Sequence, residues 1–233
     1  MFDRLKKNIY SLGVSEASGL FHKDGSGRND RVSQWASSRG FSYLGGQGIN
    51  FTMRGKVVGK SWKLECGPSS RDYIAGNELR ARAELGIPQD IAMLLMNRPL
   101  KQSLEKRVYE MYTDTLQTRV GPDMPEELRW LSMFPEVGWG TAPPELWERY
   151  SVLAEHREQA MNWITPSVTD LLLSWPEPGP DDHLPFVLML LRGKAYLRMQ
   201  HLPHNIEVLD HAALIFTATC ESASGGLSMD ISI

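Results

Sequence analysis

Residues 78–85, Glu-Leu-Arg-Ala-Arg-Ala-Glu-Leu, alternate without exception between charged and apolar side chains. A strand puts Leu79, Ala81, Ala83 and Leu85 on one side and Glu78, Arg80, Arg82 and Glu84 on the other. A helix scatters the same apolar residues around its circumference. The residue types are good helix formers, but periodicity outranks propensity, and the segment is predicted to be a half-buried strand. Whatever the rest of the chain does, it has to supply a sheet with one covered face.

A hairpin is predicted just before it. Ile49, Phe51 and Met53 alternate with Asn50, Thr52 and Arg54, and beyond Gly55-Lys56, Trp62, Leu64 and Cys66 alternate with Ser61, Lys63 and Glu65. Period-two patterning on both sides of a Gly-containing turn marks two strands with one buried face. Upstream, Phe2, Leu5, Ile9 and Leu12 stand at helical spacing, 15–29 reads as a loop, and Asp30 is placed to cap a short helix that turns Val32, Trp35 and Ala36 inward and ends at Gly40.

Downstream, a helix is expected from about Gln89 through Ile91, Ala92, Leu95 and Met96, a second from near Pro99, and two short strands within 108–120. Tyr150, Val152 and Ala154 then alternate as a strand, and residues 156–164 form a helix. Thr165-Pro166 supplies an N-cap and a proline at the first position of another helix, and 186–199 form a hairpin around Arg192-Gly193-Lys194. An offset of 68 residues lays Leu85 on Leu153, Ala92 on Ala160, Met93 on Met161 and Leu104 on Leu172. The expected fold is therefore α+β: an antiparallel or mixed sheet with helices, in two degenerate strand–helix–helix–hairpin repeats. Residues 1–40 form a basic helical segment, and units 41–122 and 123–233 pack as one domain. Asp123 and Glu126 open a helix that buries Leu128, Trp130, Leu131 and Phe134, and a last helix runs from Asn205 to about Cys220.

The stretch 148–175, ERYSVLAEHREQAMNWITPSVTDLLLSW, followed by FVLMLLRGKAYLRM, resembles a bacterial domain family of unknown function. The likeness spans residues 148–199 and rests on the strand at Val152, the helix containing Ala160, the Ile164-Thr165-Pro166 helix start and the hairpin at Gly193. It implies a fold and no activity; many of that family's members carry membrane segments that this chain lacks.

Two cysteines, Cys66 and Cys220, lie too far apart in sequence for a Cys-x-x-Cys pair, so neither a zinc knuckle nor a thioredoxin-like motif is offered. Both are expected as buried thiols in a cytoplasmic protein. The longest unbroken apolar stretch, 186–191, is far too short to span a bilayer. Gly55-Lys-Val-Val-Gly59-Lys60-Ser61 falls one residue short of a phosphate-binding loop and leads into a strand where that loop needs a helix, so it reads as the hairpin. The same applies to Gly45-Gly46-Gln47-Gly48, a glycine-rich turn.

Three features point outward. His201 and His204, with His183 nearby in sequence, are the nearest approach to a metal site and the basis for a metal-assisted hydrolase as an alternative function. Residues 1–63 hold eleven Lys/Arg against four Asp/Glu, and the remainder fourteen against twenty-four, a +7/−10 split. Within the basic part, Arg54, Lys56, Lys60 and Lys63 are expected to gather on one solvent face as a candidate polyanion site. Phe51 and Trp62 fall on the opposite face, which leaves no stacking platform for nucleic acid, and the acidic remainder opposes a membrane, so neither is the expected partner. A peripheral binder of anionic membrane or nucleic acid through the basic N-terminal third is a second alternative function. With no nucleophile paired to a base in the sequence, the chain reads as a non-enzymatic binding or assembly module without cofactor. Its expected partner is another protein or a second copy. The basic third is expected to dock on the acidic remainder or on that copy.

Overall fold

The computed structural model describes residues 26–114, 126–177, 183–202 and 205–228. The expected helix at 2–12 and the cap at Asp123 lie outside them, as do Met229, Ile231 and Ile233, whose alternation in the sequence predicts an edge strand. Among the described residues, nine strands join in one sheet and every pairing is antiparallel. The strands are β1 (Ser42–Gly45), β2 (Phe51–Val57), β3 (Lys60–Pro68), β4 (Asn77–Glu84), β5 (Ala92–Asn97), β6 (Glu136–Val137), β7 (Tyr150–Ala154), β8 (Phe186–Leu191) and β9 (Lys194–Gln200), in the order β1-β2-β3-β4-β9-β8-β5-β7-β6. The α+β class holds.

One face is covered along most of its length. Helices α1 (Ser26–Ser38), α4 (Pro144–Arg149), α5 (Arg157–Trp163), α6 (Pro166–Leu173) and α7 (Ile206–Gly226) enclose a core that runs from Met53, Trp62 and Leu64 to Val152 and Leu197. The Thr165 hydroxyl accepts from the Val168 N–H and the Asn205 side chain from the Val208 N–H, capping α6 and α7 as their sequences specify. On the other face, helices α2 (Arg98–Asp114) and α3 (Glu126–Met133) cover β5, β7 and β8 through Leu100, Leu104, Leu128 and Trp130. Along β2, β3 and β4 that face carries no helix among the described residues.

Several expectations are corrected. Residues 92–97 are a strand, not a helix: the unbroken run Met93-Leu94-Leu95-Met96 sends Met93 and Leu95 into one core and Leu94 and Met96 into the other. A central strand covered on both sides needs no alternation. Residues 108–114 continue α2 instead of forming strands, because Leu100, Leu104 and Val108 extend a stripe at i, i+4 onto the sheet. The hairpin β2–β3 turns at Val58-Gly59, both with positive φ, so Gly55 and Lys56 are strand residues. Helix α1 starts at Ser26, and Asp30 lies inside it. Finally, Ala92 sits in a strand and Ala160 in a helix, so the first unit does not reproduce the strand–helix–helix–hairpin order of the second.

Candidate functional site

Register explains why half of one face is charged. Reading straight across the sheet, Ser42, Arg54, Lys63, Arg82 and Tyr196 stand in one row, which continues as Met189, Leu94 and Leu153 beneath α2 and α3. A neighbouring row runs Leu44, Thr52, Glu65, Arg80, Arg198 and then Val187 and Met96. The side-chain chemistry changes where the helices stop. Seven cations project from the open half: Arg54, Lys56, Lys63, Arg80, Arg82, Lys194 and Arg198.

Carboxylates are interspersed with them. Lys63 meets Glu65 at 2.6 Å, Glu84 receives Arg82 at 2.8 Å and Lys194 at 3.2 Å, and Arg80 and Arg198 both address Glu78. Arg54 and Lys56, both exposed, meet no carboxylate among the described residues. A small depression of about 200 Å³ lies between Lys63, Glu65, Arg80, Arg82, Tyr196 and Arg198.

A larger recess of about 510 Å³ forms where the chain passes from α1 into β1. Strand β1 pairs with β2 only from Phe51 to Arg54, so Gly55, Lys56 and Val57 have a neighbouring strand on the β3 side alone. Gly40, at φ +72°, turns the chain into this corner. The recess is lined by Arg39, Ser42, Arg54, Lys56 and Ser61 around Phe41 and Gly55. Arg39 is held there by an ion pair with Asp210 of α7. Trp35, Phe41, Trp62 and Phe216 stack edge-on or tilted in succession and fix α1 and the start of β1 to the core.

A buried ionic cluster marks the border between the open and covered halves. Glu78 and Glu127 have fully buried side chains. Glu78 accepts from the Ser70 N–H and hydroxyl, each at 3.0 Å, and from Arg198; Glu127 accepts from Arg71 Nε and Tyr73 Oη, each at 3.0 Å. Burial pushes the Glu78 carboxyl up, but the Ser70 N–H and the Arg198 guanidinium outweigh it and leave the pKa below the ordinary carboxylate value. Burial, followed by the Glu127 charge, pushes the Tyr73 phenol well above its usual range. These contacts pin the β3–β4 connection onto α3.

Of the four cations named from sequence, three share the open face. Lys60 does not: its ammonium turns away to donate to the Leu85 carbonyl at 2.9 Å. Arg80, Arg82, Lys194 and Arg198 join the face although sequence reading passed over them. Their alternation was visible, but not which strands β4 and β9 would lie beside. The histidines are dispersed in character: the His201 ring packs edge-on against Phe51 at 5.9 Å, His183 is exposed, and His204 lies outside the described residues. Among the described residues, no three His, Cys, Asp or Glu side chains cluster closely enough to hold a metal. Cys66 and Cys220 are free and buried, and no described helix is long and apolar enough to cross a membrane.

Fold and face together define an α+β protein on one antiparallel sheet with a basic half that no described helix covers. No family model matches the chain, and no curated protein matches it. Among solved structures it is similar to the mycobacterial trehalose monomycolate transport factor A, TtfA, at 9% identity and a TM-score of 0.46, over 85% of this chain and 95% of that one.

Proposed function

We propose that this chain is a non-enzymatic binding or assembly module, cytoplasmic, which docks an acidic protein surface on the open half of its sheet. The observation that carries the proposal is the row Arg54-Lys63-Arg82, with Lys56 beside it, projecting from a face that no described helix covers. The mosaic of cations with Glu65 and Glu84 suits a protein surface of mixed but net acidic charge. Those same carboxylates oppose the dense charge of duplex DNA, one per about 1.7 Å of axis, or of an anionic bilayer more than they oppose the wider-spaced carboxylates of an acidic chain. Stacking is equally poorly served, since Phe51 and Trp62 are buried on the far side. The hydrolase alternative through His183, His201 and His204 has no comparable support among the described residues.

The test is binding of the intact protein to polyglutamate, duplex DNA and phosphatidylserine vesicles at two salt concentrations. Polyglutamate is expected to bind and to weaken as salt rises, because exposed charges are screened over about 10 Å at 0.1 M. The pair Lys63→Glu with Arg82→Glu is expected to abolish that binding without unfolding the protein. Undiminished binding by this pair, or tighter binding to DNA or vesicles, overturns the proposal.

A further inference from the structure

We infer that the recess between α1 and the β2 edge receives the phosphate monoester of a phosphorylated side chain on an extended segment of the partner protein. This rests on the anionic-partner reading above and specifies its anchoring group. Arg39, Arg54 and Lys56 converge on the recess with the hydroxyl-bearing Ser42 and Ser61, and no Asp or Glu lines it. The smaller depression on the same face does include a carboxylate, Glu65. The Arg54 guanidinium, the Lys56 ammonium and two hydroxyls, beside an Arg39 held by Asp210, suit a dianion that accepts several hydrogen bonds at once; a guanidinium fork matches phosphate oxygens in pairs. Because Arg54 and Lys56 meet no described carboxylate, a ligand gains their charge without displacing a partner.

One further observation favours a peptide carrier. Beyond Arg54 the outer edge of β2 has no strand beside it among the described residues, so Gly55, Lys56 and Val57 present strand edge to an extended backbone. A lipid headgroup makes no use of a strand edge.

The experiment is fluorescence anisotropy with the full chain and four probes: a neutral peptide bearing one phosphoserine, the same peptide unphosphorylated, the same peptide with Glu in that place, and phosphatidic acid vesicles. The phosphopeptide is expected to bind at least about tenfold more tightly than the other two peptides, as charge-assisted bonds to a dianion require. That advantage is expected to vanish in Arg54→Gln/Lys56→Gln and to survive in Lys60→Gln, with circular dichroism confirming that each variant is folded. It is also expected to shrink below about pH 6, where the phosphate takes up its second proton. Equal binding of the Glu peptide, an unaffected double variant, or tighter binding to phosphatidic acid overturns the inference. If polyglutamate still binds in that case, the recess assignment fails and the open-face proposal stands; loss of both removes both.

Discussion

Arg198→Met tests whether the buried cluster at the edge of the basic face holds the fold together. The Arg198 side chain is only 16% exposed; it pairs with Glu78, lies 3.8 Å from Glu127 and donates to the Ser70 hydroxyl at 3.0 Å. Its removal leaves two buried carboxylates, and breaking one partner out of such a pair costs about 3–5 kcal/mol. Glu78 retains Arg80 at 3.5 Å and both Ser70 donors, which places the expected loss near the lower end, about 3 kcal/mol. In a chain of 233 residues each kcal/mol moves Tm by about 2–4 °C, so the variant is expected to melt about 6–12 °C lower at pH 7.5. The sign of the pH dependence follows from Glu78. Its folded pKa is depressed, so in the parent protein it stabilises above the unfolded carboxylate pKa and loses that contribution as pH falls through the folded value. Without Arg198, burial is no longer outweighed, the pKa rises and the folded carboxyl takes up a proton nearer neutrality. The gap in Tm is therefore expected to narrow between pH 7.5 and 5. Glu78→Gln added to Arg198→Met is expected to recover part of the loss, since no buried charge is then left unmatched. Calorimetry showing a drop under about 2 °C, a gap indifferent to pH, or no recovery in the double variant refutes this account of the cluster.

Gly55→Ala would place a Cβ 2.5 Å from Trp62 Nε1 and 2.9 Å from Phe41 Cδ1; such overpacking costs about 1–3 kcal/mol, and an unchanged Tm contradicts it. The Cys66 thiol is pushed up to about 12 by burial and that of Cys220 is raised by the same cause, so a thiol reagent at pH 8 is expected to label neither until the protein is unfolded. Rapid labelling of either native thiol refutes their burial. Lys60→Met removes the bond to the Leu85 carbonyl and is expected to cost about 1 kcal/mol while leaving polyglutamate binding unaltered. Weaker binding instead returns Lys60 to the interface.

What the sequence conveyed depended on how many faces of an element meet water. Strands β2, β3, β4 and β9 each have one wet face, and their period-two patterns were readable without any structure. Strand β5 has none, so its apolar run lost periodicity and mimicked a helix through Ile91, Ala92, Leu95 and Met96. The carboxyl-terminal half of α2 was misread because Val108, Tyr109 and Tyr112 favour strands by type, whereas the stripe from Leu100 to Val108 prevails through packing. The basic face was half legible. Arg54, Lys56 and Lys63 came from one hairpin, whose register is local. Arg80, Arg82 and Arg198 required knowing that β4 lies between β3 and β9, a long-range pairing that one sequence does not announce. Glu78 ranked as an ordinary outward charge, and its burial depends on the β3–β4 connection folding back over it.

The charge split along the chain now has a partial explanation within the fold. An internal match between the basic third and the acidic remainder requires cations before residue 64 to meet carboxylates after it. Among the described side chains, Arg39 does so through Asp210, and Lys63 does so with Glu65 on its own strand. Arg31, Arg54 and Lys56 meet none, and Lys60 is satisfied by a carbonyl. Two of these, Arg54 and Lys56, line the same recess at the end of the same open sheet face. Internal neutralisation therefore accounts for the cation that anchors α1 to α7, and leaves the hairpin's charge facing outward. Fixed cations on a rigid sheet need little reordering on association, so their attraction for an acidic surface is not offset by lost loop entropy. Unmatched charge at Arg54 and Lys56 on a preformed scaffold separates that corner from the rest of the face, where Lys63, Arg82 and Lys194 sit in exposed pairs that contribute almost nothing.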